Sequence, residues 1–174
     1  MRSLAGRRRR GRFASRLLAA TLMLAISTLS QAAGVGLRTL DGADTTLAEQ
    51  VPAGRWTLAM LYTTYCGVCR GEYPVISAFH DAHEASDASV IGIALDGYAA
   101  IDTVRRYVAK KPFTFPSVVG EPEVVGAAFE AATEEAFTGT PSYLLFNPAR
   151  QLVAAHSGTL TRQALEDFLA RPAP

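Results

Sequence analysis

Both cysteines of the 174-residue chain lie in one stretch, Thr63-Thr64-Tyr65-Cys66-Gly67-Val68-Cys69-Arg70-Gly71-Glu72-Tyr73-Pro74. Two thiols at this spacing can clamp a metal, close a structural bridge, or exchange electrons as a dithiol. A metal set would have to add His80 and His83. The residues after Cys66 follow a helical pattern, however, and at ~1.5 Å rise per residue His80 lies roughly 16 Å beyond Cys69. Zinc bonds of about 2.0–2.3 Å cannot close that gap, so no zinc set is expected and no metal ligand is assigned among these residues. His80 then reads as a solvated helix residue, His83 as a part-buried one, and His156 as an edge-strand residue.

A static bridge over two intervening residues constrains the unfolded chain very little, which makes stabilisation a poor reason for the spacing. Redox exchange remains. At a strand-to-helix junction, the free N–H groups and positive end of the first turn favour a thiolate at Cys66. Cys69, one turn further in and better shielded, is placed to attack a mixed disulfide that Cys66 forms with a substrate. Glu72 stands three residues after Cys69, on the same helical face, where the spacing admits two roles: a solvated carboxylate favoured by the helix dipole, or a part-buried one that takes and returns the Cys69 proton.

The elements that must hold these groups are legible in outline. Trp56 to Tyr62, WTLAMLY, is a continuous apolar run of strand length, as a central strand buried on both faces requires. The helix that carries the cysteines runs from Gly67 to about Ala85 with Pro74 inside it, where a proline is expected to kink the axis. Ser89 to Leu95 reads as a second buried strand. Ile101, Val104, Tyr107 and Val108 mark an amphipathic helix that ends at Lys110-Lys111 before Pro112. Phe113 to Val119 is a short proline-flanked segment, and Glu121 to Ala132 a helix. Ser142 to Phe146 and Gln151 to His156 form an antiparallel pair around Asn147-Pro148-Ala149-Arg150. A last amphipathic helix carries Leu165, Phe168 and Leu169 and stops at Pro172. At the front, Val35 to Leu40 and Thr45 to Leu47 flank Asp41-Gly42 as a small hairpin. Strands that alternate with helices, followed by a closing hairpin and helix, give an α/β fold: a mixed sheet with helices on both faces.

Residues 1–32 have the pattern of a secretory signal, with 33–174 as one domain. Seven arginines from Arg2 to Arg16 precede an apolar run, Leu17 to Leu29, and Ser30-Gln31-Ala32 supplies the small residues of a cleavage site. The competing reading is a retained anchor, since no charge falls between Leu17 and Leu37. Either way the domain is expected outside the cytoplasm, periplasmic or extracytoplasmic. The segment holds seven of the 17 basic residues and none of the 16 acids, which leaves the domain with a net charge of −6. That balance gives no support to a nucleic-acid partner. In an oxidising compartment a dithiol acting as a reductant also needs a membrane-borne thiol reductant to recharge it.

From about Val35 to Ala170 the sequence resembles the thioredoxin superfamily, and within it the exported TlpA/ResA-type thiol-disulfide oxidoreductases. TTYCGVCRGEYP parallels the family's WCxxCRxExP, and Gly139-Thr140-Pro141 before SYLLFN parallels its proline loop. The resemblance implies a thioredoxin-like fold, a cis Pro141 against the dithiol, and substrate binding through Thr140, Pro141 and the aromatic Tyr65. It implies acid–base service from Glu72, disulfide-containing protein substrates, no organic cofactor, and a task such as cytochrome c maturation or oxidase assembly. Three positions depart from the pattern. Tyr65 replaces a tryptophan, Val68 stands where many relatives carry proline, and Met60 occupies the place of a buried acid in cytosolic thioredoxins. Two other functions stay open: a copper(I) metallochaperone using the same two thiolates, and a non-enzymatic module that binds peptides in the same groove.

Overall fold

The computed structural model describes residues 34–110 and 113–170. The expected signal segment, Lys111, Pro112 and Pro172 lie outside the described residues. β1 (Gly36–Thr39) and β2 (Asp44–Thr46) form the expected hairpin, paired Gly36 to Thr46 and Arg38 to Asp44. Its turn is closed by Gly42, whose φ of 94° suits a residue without a β-carbon. Leu47 does not extend β2. It opens α1 (Leu47–Gln50), because Thr46 and Glu49 make a reciprocal capping box that starts a helix there.

β3 (Trp56–Tyr62) leads into α2 (Gly67–His83), then β4 (Ala88–Ala94), a 3-10 turn (Tyr98–Ala100) and α3 (Ile101–Val108). β5 (Ser117–Val119) is followed by α4 (Pro122–Thr133), β6 (Ser142–Phe146), β7 (Leu152–Ser157) and α5 (Arg162–Leu169). These strands make one seven-stranded sheet in the order β2-β1-β5-β4-β3-β6-β7. β3, β4 and β5 are parallel, and the other pairings are antiparallel. The proline-flanked segment thus supplies a strand of its own, too short to announce itself by periodicity yet needed to join the hairpin to the rest.

The apolar run of β3 is buried over all seven residues because two cores share it. Trp56, Leu58, Met60 and Tyr62 face one side, with Cys69, Tyr73, Ile76 and Phe79 of α2, Val104 of α3 and Leu165 of α5. Ala59 and Leu61 face the other, with Val125 and Phe129 of α4 and Leu37 and Leu47 from the hairpin region. Alternation along one strand therefore feeds helices on both faces, at about 1.5–3 kcal/mol for each large side chain removed from water. Gly92 in β4 is needed for this packing. A β-carbon there would meet the Tyr62 ring at 2.9 Å and crowd the Ser117 hydroxyl, to which Tyr62 donates a 3.1 Å hydrogen bond.

Register, more than any loop, positions the site. β3 and β6 run antiparallel with Leu61 opposite Ser142. The chain leaving the end of β3 toward Cys66 therefore lies beside the chain entering β6 from Pro141.

Candidate active site

The turn between β3 and α2 is pinned before any chemistry is considered. Leu95 N–H donates to the Tyr62 carbonyl at 2.8 Å, which brings Asp96 beside Thr64. The Asp96 carboxylate accepts from the Thr64 backbone N–H (3.1 Å) and from its hydroxyl. Cys66 N–H closes the turn on the Thr63 carbonyl at 3.2 Å. Cys66 is then the N-cap of α2 with extended backbone, φ −71° and ψ 111°. Its Sγ accepts the Cys69 N–H at 3.0 Å, one of the donors that a helix start leaves unpaired.

Cys66 and Cys69 are joined in a disulfide with Cα atoms 5.3 Å apart. The two sulfurs are not equivalent. Cys69 is fully buried, whereas Cys66 keeps 9% of its surface at the rim. Beside that rim stand Tyr65, 74% exposed, and Val68, 54% exposed, two large apolar side chains that the fold does not use. From the other side comes the Gly139-Thr140-Pro141 loop. Thr140-Pro141 is cis, and the Thr140 carbonyl oxygen lies 3.5 Å from Cys66 Sγ. The loop is held at both ends of the proline. The Ser142 hydroxyl donates to the Gly139 carbonyl at 2.7 Å, and Gly158 N–H donates to the Pro141 carbonyl at 2.9 Å. Cys66, Cys69, Thr140 and Pro141 thus converge from residues more than seventy positions apart in the sequence.

Glu72 lies deeper, 8% exposed, on the same helix as Cys69. One of its oxygens, Oε2, accepts two hydrogen bonds: the Tyr143 hydroxyl at 3.2 Å and the Leu160 backbone N–H at 2.6 Å. Burial, and after it the charge and hydrogen bond of Glu72, push the Tyr143 hydroxyl far above its ordinary range, so Tyr143 stays a neutral donor. Neither Tyr143 nor the Leu160 amide is visible in the motif. They lie 71 and 88 residues from Glu72, and only the pairing of β6 with β3 brings the first of them near.

The histidines are engaged elsewhere. His80 is buried, not solvated: its Nδ1 accepts the Val90 N–H at 3.2 Å, and its Nε2 meets Glu84 at 3.0 Å. A backbone donor at the start of β4 needed a buried acceptor, and the imidazole supplies it. His83 is part-buried as expected, held by Asp87 at 2.8 Å and Glu166 at 3.2 Å. His156, exposed on the edge strand β7, contacts the Thr159 carbonyl at 2.9 Å. Among the described residues no group of three or more His, Cys, Asp or Glu side chains could hold a metal ion. Among them, too, no helix is long and apolar enough to cross a membrane.

The sequence matches the AhpC/TSA family over residues 29–155. It is 25% identical over 139 residues to the thiol-disulfide oxidoreductase ResA of Halalkalibacterium halodurans, covering 80% of this chain and 73% of that protein. It is 20% identical over 133 residues to sporulation thiol-disulfide oxidoreductase A of Bacillus subtilis, covering 76% and 75%. Among solved structures, a secreted Mycobacterium tuberculosis disulfide oxidoreductase superposes with a TM-score of 0.61 at 18% identity, over 81% of this chain and 98% of that one. Copper-bound ScoI of Arabidopsis thaliana superposes at 0.59 and 18% identity, over 78% and 92%. At such identities the superpositions establish the fold, and the match across most of the chain establishes the lineage. This chain belongs to the AhpC/TSA family, within the thioredoxin superfamily.

Proposed function

We propose that this chain is an exported thiol-disulfide oxidoreductase that reduces disulfides in partner proteins. The broad class is the one for which its curated relatives are named. The observation that carries the reading is the reactive pair itself: a disulfide at a helix N-terminus whose outer cysteine keeps 9% of its surface exposed, with its sulfur 3.5 Å from the Thr140 carbonyl. In the reduced form the Cys66 thiolate, favoured by the free donors of the first turn, attacks a partner's disulfide. A Cys66–partner mixed disulfide forms and the partner's second sulfur leaves as a thiolate. Cys69 then gives its proton to Glu72 and attacks the Cys66 sulfur. The Cys66–Cys69 bond forms, and the partner departs reduced by two electrons. Thr140 and Pro141 line the partner's path, and Tyr65 offers it an apolar contact.

The working site faces the oxidising side of a membrane if residues 1–32 act as the export signal, cleaved or retained. A membrane-borne thiol reductant then restores the dithiol. Apocytochrome c or an oxidase assembly factor is the partner class that the family resemblance suggests. A Cys69→Ser variant tests the reading. It should accumulate mixed disulfides through Cys66, and a passive peptide-binding module should not. The midpoint potential of the Cys66/Cys69 couple gives the direction of flow: near about −270 mV for a reductant, near about −120 mV for an oxidant. A copper(I) chaperone would use the same two thiolates, but both ring nitrogens of His80 and of His83 already have partners. Copper(I) titration with a measured stoichiometry separates that reading from reductase chemistry.

A further inference from the structure

A carboxylate presents about four lone-pair sites on two oxygens. In Glu72 both hydrogen bonds fall on Oε2, and among the described residues Oε1 takes none. This asymmetry matters if the carboxyl group has to gain and lose a proton without moving. We propose that Tyr143 is a positioning residue for proton transfer: with the Leu160 amide it seats Glu72 by Oε2 and leaves Oε1 to exchange the proton of Cys69.

The argument is geometric. With a proton on Oε1, Oε2 becomes the carbonyl oxygen of a carboxylic acid, which still accepts from both donors. With the proton gone, both bonds are charge-assisted and stronger. The same seat therefore holds the group in both states, and the side chain does not have to reorganise between them. The seat itself is stiff. Tyr143 is 1% exposed, sits opposite Met60 in β3, and has the His156 ring of β7 stacked on it at 6.4 Å. Leu160 belongs to the segment that begins with Gly158, whose amide holds the Pro141 carbonyl. The titratable groups that contacts place by the carboxyl are Tyr143 on β6 and, behind Tyr143, His156 on β7; Cys69 stands one turn earlier on the same helix. Tyr143 is held neutral, so it donates throughout.

The step it serves is the resolving half-reaction of the proposed function, on which this inference rests. The Cys69 S–H proton passes to Oε1. The Cys69 sulfur bonds to the Cys66 sulfur, the Cys66–partner S–S bond breaks, and its electron pair leaves with the partner thiolate, which takes up the proton. Tyr143 makes and breaks no bond in this sequence.

The test follows resolution of a preformed Cys66–peptide mixed disulfide by stopped flow across pH. It uses the wild type, Tyr143→Phe, Glu72→Gln and the double variant. Tyr143→Phe keeps the ring and should slow resolution roughly tenfold, a fraction of the 10²–10⁴-fold that a positioned acid–base group contributes. Its acidic limb should move to higher pH, since a donor that favours the charged carboxylate is gone. In the Glu72→Gln background the same change should cost nothing further, because its effect runs through Glu72. An unchanged pH profile, or an equal slowing in both backgrounds, overturns the proposal. If Glu72→Gln alone leaves the rate intact, the proton role of Glu72 fails first, and that outcome is distinct. Should Tyr143→Phe not fold, 3-fluorotyrosine at position 143 serves instead. It keeps the hydroxyl, strengthens it as a donor and should move the limb to lower pH, and no movement overturns the proposal equally.

Discussion

The two ends of α2 carry residue types that can do chemistry, cysteines at one and histidines at the other, yet the fold treats them in opposite ways. At the start, Cys66 meets helix donors that have no other partner and keeps one edge at the surface, next to exposed Tyr65 and Val68. At the finish, His80 and His83 have every ring nitrogen occupied, by a backbone amide and by carboxylates from the helix C-cap, the following turn and α5. Reactive side chains become a site where the surroundings leave valence and access unspent. Where the surroundings use both, the same chemistry becomes structure.

That contrast can be broken most severely at the first end. Cys66→Ser should abolish dithiol-dependent reduction of a protein disulfide while leaving the circular dichroism spectrum unchanged. Residual turnover above the uncatalysed rate would mean that the outer sulfur is not the attacking one. Next in size, Glu72→Gln should slow release of the mixed disulfide about 10²-fold or more, with formation of that mixed disulfide untouched in stopped-flow traces. At the second end the expected losses are in stability. His80→Leu leaves the Val90 amide buried without an acceptor, a cost of about 1–3 kcal/mol in denaturant melts. The turnover number of the folded fraction should stay at the wild-type value, and a fall would place His80 in the chemistry.

The smallest effect concerns pH. Burial alone would lower the His83 imidazole, but its hydrogen bonds with Asp87 and Glu166 outweigh that and raise it above the ordinary histidine value. Glu166, bonded to Arg162 and His83, and Asp87, bonded to His83 and Ser86, are held below the usual carboxylate range. A raised histidine stabilises fully below about pH 6.5, its unfolded value, and loses that contribution as pH rises through its folded value. The lowered carboxylates contribute above about pH 4 and lose it as pH falls through their folded values. Thermal stability should therefore decline on the alkaline side by well under about 1 kcal/mol, since the carboxylates that face His83 keep much of their side chains in water and are screened. His83→Ala should flatten that limb, and a limb that survives the substitution would trace to another group.

Much of this was legible in the sequence because local rules and the fold agreed. The WTLAMLY run, the helical stripe after the cysteines, and the turn at Asn147-Pro148 each carry their signal within a few residues. The position of Pro141 was legible only through resemblance, since nothing local distinguishes it from an ordinary proline before a strand. Other features escaped for reasons of scale. Ser117–Val119 is too short for any period to show. His80 borders the apolar stripe, so its burial depends on an amide from β4. The seat of Glu72 depends on Tyr143, whose hydroxyl reaches it only once β6 has paired with β3. Capping by Thr46 and Glu49 was written in the sequence, yet the strand pattern of the hairpin masked it.

The pairing of Leu61 with Ser142 has a mechanical corollary. Sulfur and proline loop hang from neighbouring strands of one hydrogen-bonded ladder, so the sheet sets how far apart the two turns begin. On the proposed function, a partner's disulfide then has to reach Cys66 on a segment that fits a gap set by the sheet.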